Sequence, residues 1–262
     1  MFYEQSEYDI KCEWGIKGIE ALAGVSDVFI IVDVLSFSTC VDICVNNGAI
    51  VYPYAFRDAS AVNFASEIGA ELAVSRKDNP DGKKYSLLMS SLLEIPKGTK
   101  LVLPSPNGSA ISFAAGNKPL ICGCLRNSKA VAEYAMKHYK NITVIPAGEK
   151  WEDDNTLRPC LEDMLGAGAI ISHFKGSRSP ESRVMTAAFN LFKEDIPGAL
   201  KNSSSGKEHK SVFDSFACII KNSSSGRELI ERGYENDIEI ASKLNVSSAV
   251  PVLVDGGYVN VI

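Results

Sequence analysis

The chain has 262 residues, 45% hydrophobic, 23% charged and 8% aromatic, a composition that excludes disordered, collagen-like and coiled-coil chains. Lys and Arg number 27 against 32 Asp and Glu, and the net charge of -5 argues against nucleic acid as a partner. No run approaches the roughly 18 apolar residues of a membrane span, and Met1 to Glu13 lacks the basic-then-apolar order of a signal peptide, so a cytoplasmic location is expected.

Val28 to Val32 is a continuous apolar run of the kind that becomes a strand covered on both faces. It ends at Asp33. Phe37, Cys40, Val41, Cys44 and Val45 then recur at helical spacing, with Ser36 or Ser38 as cap and Asn47-Gly48 as stop. A strand over Ala49 to Tyr52, a helix from Asp58 to Gly69 and a strand over Glu71 to Val74 follow. Asp78 to Lys84 reads as a loop, and Pro96-Lys97-Gly98 turns into a strand from Lys100 to Leu103. The pattern then predicts a helix over Ala110 to Ala115, a strand over Pro119 to Cys122, a helix from Ser128 to Tyr139 and a strand over Ile142 to Ile145.

A polar stretch from Ala147 to Pro159 precedes a Gly- and Ala-rich helix near Leu161-Glu162-Asp163. Ser179-Pro180-Glu181 opens a helix to about Lys193. Lys201 to Gly206 recurs as Lys221 to Gly226, which reads as two loop-to-helix starts without a repeat architecture. Two strands joined by Asp255-Gly256-Gly257 close the chain. The expected fold class is α/β, three-layer α/β/α with a mainly parallel or mixed sheet. The length fits one domain or two packed halves divided near 116–119. Of the seven cysteines, Cys40, Cys44, Cys122, Cys124 and Cys218 fall in apolar stretches and read as small buried hydrophobes, so neither disulfides nor a zinc site is expected.

Several strand-to-helix turns carry small polar groups: Asp33 to Thr39 with Ser36, Ser38 and Thr39, Ser105 to Ser109, Arg126 to Ser128, and Gly148-Glu149-Lys150. In an open parallel sheet these turns share one edge, where such folds bind ligands, and helix starts favour an anion there. Each serine alone reads equally as a helix cap. A carboxylate ending a buried strand is costly unless it is hydrogen-bonded or binds a cation. If Asp33, Glu162 and Asp163 converge, they form a hard-oxygen site suited to Mg²⁺.

Magnitudes favour a metal if the reaction is phosphate monoester hydrolysis, because accelerations up to about 10²¹ need nearly 30 kcal/mol off the barrier. Helix ends supply only about 0.3 to 2 kcal/mol each. His138, His173 and His209 lie outside all these turns, so proton transfer falls to a carboxylate such as Asp33, Glu149 or Asp163, or to metal-bound water.

The blocks Val32-Asp33-Val34-Leu35-Ser36-Phe37-Ser38-Thr39, Pro104-Ser105-Pro106-Asn107-Gly108-Ser109, Gly123-Cys124-Leu125-Arg126-Asn127, Ala147-Gly148-Glu149 and Leu161 to Ala169 together resemble the 2-phosphosulfolactate phosphatase family, in order from about Glu13 to the C-terminus. The resemblance implies a Mg²⁺-dependent phosphatase that releases phosphate from 2-phospho-3-sulfolactate on the route to coenzyme M, with an α/β/α fold. It carries family roles to Asp33, Asn107, Gly108, Asn127, Gly148, Glu162 and Asp163. The family pattern has Arg where this chain has Ser36, and Leu87 to Leu93 departs from its Gly- and Asn-containing segment. Recognition of the second anionic group would then fall to Arg76, Arg126 or Arg158. Glu13-Trp14-Gly15 and Leu157-Arg158-Pro159 resemble marks of a related branch.

The substrate-binding set on this reading is Ser36, Ser38, Thr39, Asn107, Gly108, Ser109, Arg126, Asn127 and Gly148. Two alternatives stay open. One is a haloacid-dehalogenase-type phosphatase, which Asp33 with Ser38 and Thr39 loosely resembles, although Leu35 stands where the second Asp belongs. The other is a binder that holds a phosphorylated metabolite without turnover. A homodimer is the default expectation for assembly.

Overall fold

The computed structural model describes residues 2–79, 84–201 and 212–262, with the backbone alone for 194–201 and 212–215. Strand β1 (Ile10–Cys12) leads to helix α1 (Gly15–Leu22) and then to β2 (Val28–Val32), all five of whose residues are buried. Helix α2 (Phe37–Asn46), β3 (Ile50–Tyr54), α3 (Ala59–Ile68) and the short β4 (Glu71–Leu72) follow. Asp58 caps α3 by accepting the Ser60 N–H, and Gly69 closes it in the left-handed conformation, as their residue types dictate.

After β5 (Lys100–Pro104), helix α4 (Gly108–Ala114) starts two residues before the expected Ala110. Next come β6 (Leu120–Gly123), α5 (Ser128–His138) and β7 (Ile142–Pro146). The polar stretch from Ala147 to Pro159 is not a plain loop. It folds into a hairpin, β8 (Glu149–Lys150) with β9 (Leu157–Arg158), ahead of α6 (Leu161–Ser172). Helix α7 (Pro180–Lys201) runs past the expected end at Lys193. The helices α8 (Val212–Asn222), α9 (Ser224–Glu231) and α10 (Glu235–Ala241) precede the closing strands β10 (Pro251–Val254) and β11 (Gly257–Asn260). Ser223 caps α9 through the Gly226 N–H, so the second Lys-Asn-Ser-Ser-Ser-Gly segment is a helix start. Its first copy, beyond Lys201, and His209 lie outside the described residues.

The sheet has nine strands in the order β1-β7-β2-β6-β10-β11-β3-β5-β4, a mixed α/β sheet of the expected class. β1, β7, β2 and β6 are mutually parallel, as are β3, β5 and β4. The β10–β11 hairpin sits between the two groups, antiparallel to both. Three successive antiparallel pairings make the β3 group run against the β2 group, so the expectation that all the strand-to-helix turns leave one common edge is corrected. The turn after β5 nevertheless meets the turn after β2. The Gly108 N–H, at the start of α4, donates to the Asp33 carboxylate and joins the two.

Burial of every residue in β2 and β7 requires helices on both faces. Gly123 of β6 lies so close to Ile170 of α6 that a Cβ there would stand 2.6 Å from it, and Gly168 of α6 similarly admits the backbone of Met185 in α7. Cys40, Cys44, Cys122 and Cys124 are buried thiols of the core, whereas Cys218 is exposed, because it falls on the outer side of α8. Among the described residues, no helix is long and apolar enough to cross a membrane.

Candidate active site

Asp33 follows the last residue of β2 and is 6% exposed. Its Oδ1 accepts the Phe37 N–H at 3.1 Å and its Oδ2 accepts the Gly108 N–H at 3.1 Å, which ties the start of α2 to the start of α4. Asp163, in the first turn of α6, is the second brace. Its Oδ1 accepts the Val34 N–H at 2.7 Å and its Oδ2 the Gly148 N–H at 2.9 Å. Two carboxylates from distant parts of the chain thus hold three turns together through backbone amides.

Glu162 is 2% exposed and its Oε2 is buried with no hydrogen-bond partner. Glu149 is half-buried in β8, paired across the hairpin with Arg158. Burial pushes the Asp33 carboxyl up to about 7, helped by the charge of Glu149 and opposed by the Phe37 and Gly108 amides. Burial raises Asp163 well above the usual carboxylate range, with Asp33 and Glu162 adding to it. Glu162 is raised by burial against the pull of Ser225 and Arg158.

These shifts set the sign of a pH effect. The folded protein holds protons on these carboxyls that the unfolded chain has already released above pH 4. Their contribution to stability is therefore greatest at acid pH and is lost as pH rises toward 7, by up to about 1.4 kcal/mol per pH unit for each group titrating. The Tm of chelator-treated protein should fall between pH 4.5 and 7.5. A flat or rising Tm over that range would contradict the buried-carboxyl geometry.

A cavity of about 290 Å³ opens beside these groups, with Trp14, Asn107, Ala147, Gly148, Glu149 and Leu157 in its wall. Gly148 has φ +67°, and a Cβ on it would stand 2.8 Å from the carbonyl oxygen of Arg158. Replacing Gly148 by Ala should lower the Tm by several degrees and lower activity more than tenfold, because the hairpin must shift and pull Glu149 with it. Unchanged thermal unfolding and kinetics would show that the loop yields freely.

The family model described as 2-phosphosulpholactate phosphatase matches residues 17–256, an interval holding Asp33, the Gly108 turn, Glu149, Glu162 and Asp163. The chain belongs to the 2-phosphosulpholactate phosphatase family. Among curated relatives, a probable 2-phosphosulfolactate phosphatase of Thermotoga maritima is 28% identical over 236 residues, covering 88% of this chain and 90% of the relative. A probable 2-phosphosulfolactate phosphatase of Carboxydothermus hydrogenoformans is 30% identical over 157 residues, 59% of this chain and 56% of its own length. The 2-phosphosulfolactate phosphatase of Methanothermobacter thermautotrophicus is 29% identical over 171 residues, 64% of this chain and 63% of its own. The chain therefore spans somewhat over half the length of two of these relatives and nearly all of the third.

Within this family member, several residues expected to hold substrate have other partners. Ser38 Oγ accepts the Asp33 N–H and donates to the Asp33 carbonyl at 2.7 Å, and Thr39 Oγ1 donates to the Val34 carbonyl at 2.8 Å. Ser109 Oγ donates to the Leu103 carbonyl, and the Gly108 N–H is taken by Asp33. In this structure these groups close their own turns. Asn127 accepts the Cys124 N–H and donates to the Cys122 and Ala249 carbonyls, bracing β6 against the segment before β10. Arg126 pairs with the buried Asp42 at 2.9 Å and donates to the Ile240 carbonyl. Neither has its polar groups turned to a ligand. Asn107 and Gly148 do line the cavity.

Leu35, at the position where a haloacid-dehalogenase-type loop carries its second Asp, packs against the core. His138 stacks on Tyr134, and His173 follows the C-terminal end of α6, the end away from Glu162 and Asp163. Two sequence segments with no evident chemistry, Trp14-Gly15 and Leu157, turn out to share the cavity wall. Their apolar character alone could not have shown this.

Asp33 and Asp163 brace turns, whereas Glu162 keeps an unpartnered oxygen. Among the described residues no group of three His, Cys, Asp or Glu is disposed to hold a metal ion, because Asp33 and Asp163 each accept two backbone amides. Mg²⁺ needs few protein ligands, since it keeps several waters and takes substrate phosphate oxygens. The unpartnered Oε2 of Glu162, among hard carboxylate oxygens whose charges repel, fits such an ion.

Proposed function

We propose that this protein hydrolyses a small acidic phosphate monoester, with 2-phospho-3-sulfolactate as the substrate and Mg²⁺ as the cofactor. The observation that carries the reading is the buried meeting of Asp33, Asp163 and Glu162, with Glu149 beside them at the cavity wall. The activity named for the relatives from Thermotoga maritima, as probable, and Methanothermobacter thermautotrophicus supports the substrate.

Glu162, through Oε2, and Glu149 are the residues that would hold Mg²⁺. The ion when bound would neutralise phosphoryl oxygens as charge develops on them. Asn107 and the Gly148 loop shape the cavity in which the ester sits. Asp33, with a carboxyl pushed up to about 7, exchanges a proton near neutral pH, which suits it to take one from the attacking nucleophile. Asp163 keeps the Val34 and Gly148 amides in place and so fixes the turn that carries Asp33.

The test is release of inorganic phosphate from 2-phospho-3-sulfolactate by the purified protein. Saturable release that a chelator abolishes and Mg²⁺ restores is the expected result. Absence of release at any Mg²⁺ concentration, with the ester bound at equilibrium, would replace the enzyme with a binder. Release indifferent to chelator would remove the metal from the proposal.

A further inference from the structure

Arg76 follows β4 and reaches across to the turn that carries Asp33, where its Nη2 donates to Ser36 Oγ at 2.5 Å and to the Leu87 carbonyl at 3.0 Å. Its Nε is buried with no partner. Its guanidinium stands 5.9 Å from the centre of the Tyr234 ring. Arg57 donates from Nη2 to the Pro104 carbonyl at 3.1 Å, at the end of β5 and four residues before the Gly108 amide that touches Asp33. The two guanidiniums therefore stand on the two turns that meet at Asp33. Among the described residues neither forms an ion pair with a carboxylate. Asp237 attracts Arg76 at longer range, but both its oxygens accept backbone amides, from Met89 and Ser90.

Burial holds Arg57 below its ordinary pKa, and the charge of Arg76 adds to this while that of Asp78 opposes it, so the two like charges are only partly offset. An anion supplied from outside would relieve this repulsion. Guanidiniums suit carboxylate and sulfonate oxygens, which they hold with paired N–H donors, and Ser36 adds a hydroxyl at the same place.

We propose that Arg76, Arg57 and Ser36 form an anion subsite for a second acid group of the substrate, separate from its phosphate. The subsite rests on the phosphatase reading and refines it: the enzyme takes phosphate esters bearing two acid groups, and the arginines select for the second. Arg76 reaches Ser36 from the segment after the edge strand β4, so the cation at this position comes from outside the turn.

The test compares kcat/KM for 2-phospho-3-sulfolactate, with two acid groups, and 2-phospholactate, with one, in wild type, Arg76→Gln, Arg76→Lys and Arg57→Gln. Wild type should prefer the two-acid ester. Arg76→Gln and Arg57→Gln should each cut that preference by about tenfold or more, and Arg76→Lys should restore part of it. Equal losses on both esters, or no preference in wild type, would overturn the subsite. Arg57 is exposed, so its variant keeps the comparison valid even if Arg76→Gln folds poorly.

A second measurement separates the subsite from catalysis. Sulfoacetate or malonate should raise the Tm of wild type and not of Arg57→Gln, and the stronger of the two shows whether sulfonate or carboxylate is preferred. If no ester is hydrolysed but this protection persists, the phosphatase reading fails and the subsite stands. No protection by either diacid would overturn the subsite whatever the turnover.

Discussion

Asp33→Asn should lower kcat by about 10²- to 10⁴-fold, the range for loss of a group that moves a proton in the transition state. The Tm should move by only a few degrees. The asparagine has nearly the same shape, and its oxygen still accepts one of the Phe37 and Gly108 amides. Its NH₂ then faces the other amide, donor against donor, at a cost of about 1–3 kcal/mol. Removing a buried charge that burial and Glu149 already disfavour offsets part of this. Activity and stability should therefore separate in this variant. Retention of more than a tenth of the wild-type kcat would take Asp33 out of the chemistry.

Asp163→Ala should act through the fold first. It leaves the Val34 and Gly148 amides buried without an acceptor, at about 1–3 kcal/mol each, so the expected loss is about 4 kcal/mol. At about 2–4 °C per kcal/mol for a chain of this size, the Tm should fall by roughly 10 °C. Turnover should vanish as well, because the freed turns carry Asp33 on one side and Glu149 on the other. Asp163→Asn should recover part of the stability, since its oxygen still accepts one amide. Thermal unfolding of the three proteins in one buffer measures this, and a drop below 2 °C in the alanine variant would show that the turns hold without the brace.

These two residues look alike in sequence, each an acid beside a turn of small residues, yet they take different parts. Each accepts two loop amides, but Asp33 joins the starts of α2 and α4 and feels the charge of Glu149 at the cavity wall, whereas Asp163 joins the turns after β2 and β7. The serines were ambiguous for a related reason. A hydroxyl just past a strand fits a phosphate and a neighbouring backbone group equally well, and the pattern of residues carries no sign of which is nearer. Ser38, Thr39 and Ser109 all close their own turns. Arg126 shows the same limit: its partner Asp42 lies 84 positions away on α2, and nothing local announces the pair.

The elements themselves were largely legible. The apolar run of β2, the cap at Asp58, the glycine stop after α3 and the turn between β10 and β11 follow from short-range rules of burial period, side-chain capping and backbone freedom, and the chain obeys them. Five ordered blocks also sufficed to point to the family, which the match over residues 17–256 bears out. The β8–β9 hairpin escaped because strands of two residues leave no period to read.

The residue order by itself determined where strands and helices form, that acids end a buried strand and open a helix, and which family the chain belongs to. Tertiary structure alone decided that the final hairpin enters mid-sheet and reverses the β3 group, that Arg57 and Arg76 come to the turns at Asp33, and which carboxylates brace loops. The reason is range: helix periods and caps act within a few residues, whereas strand direction and the pairing of buried charges depend on segments that meet only after the sheet has closed around them.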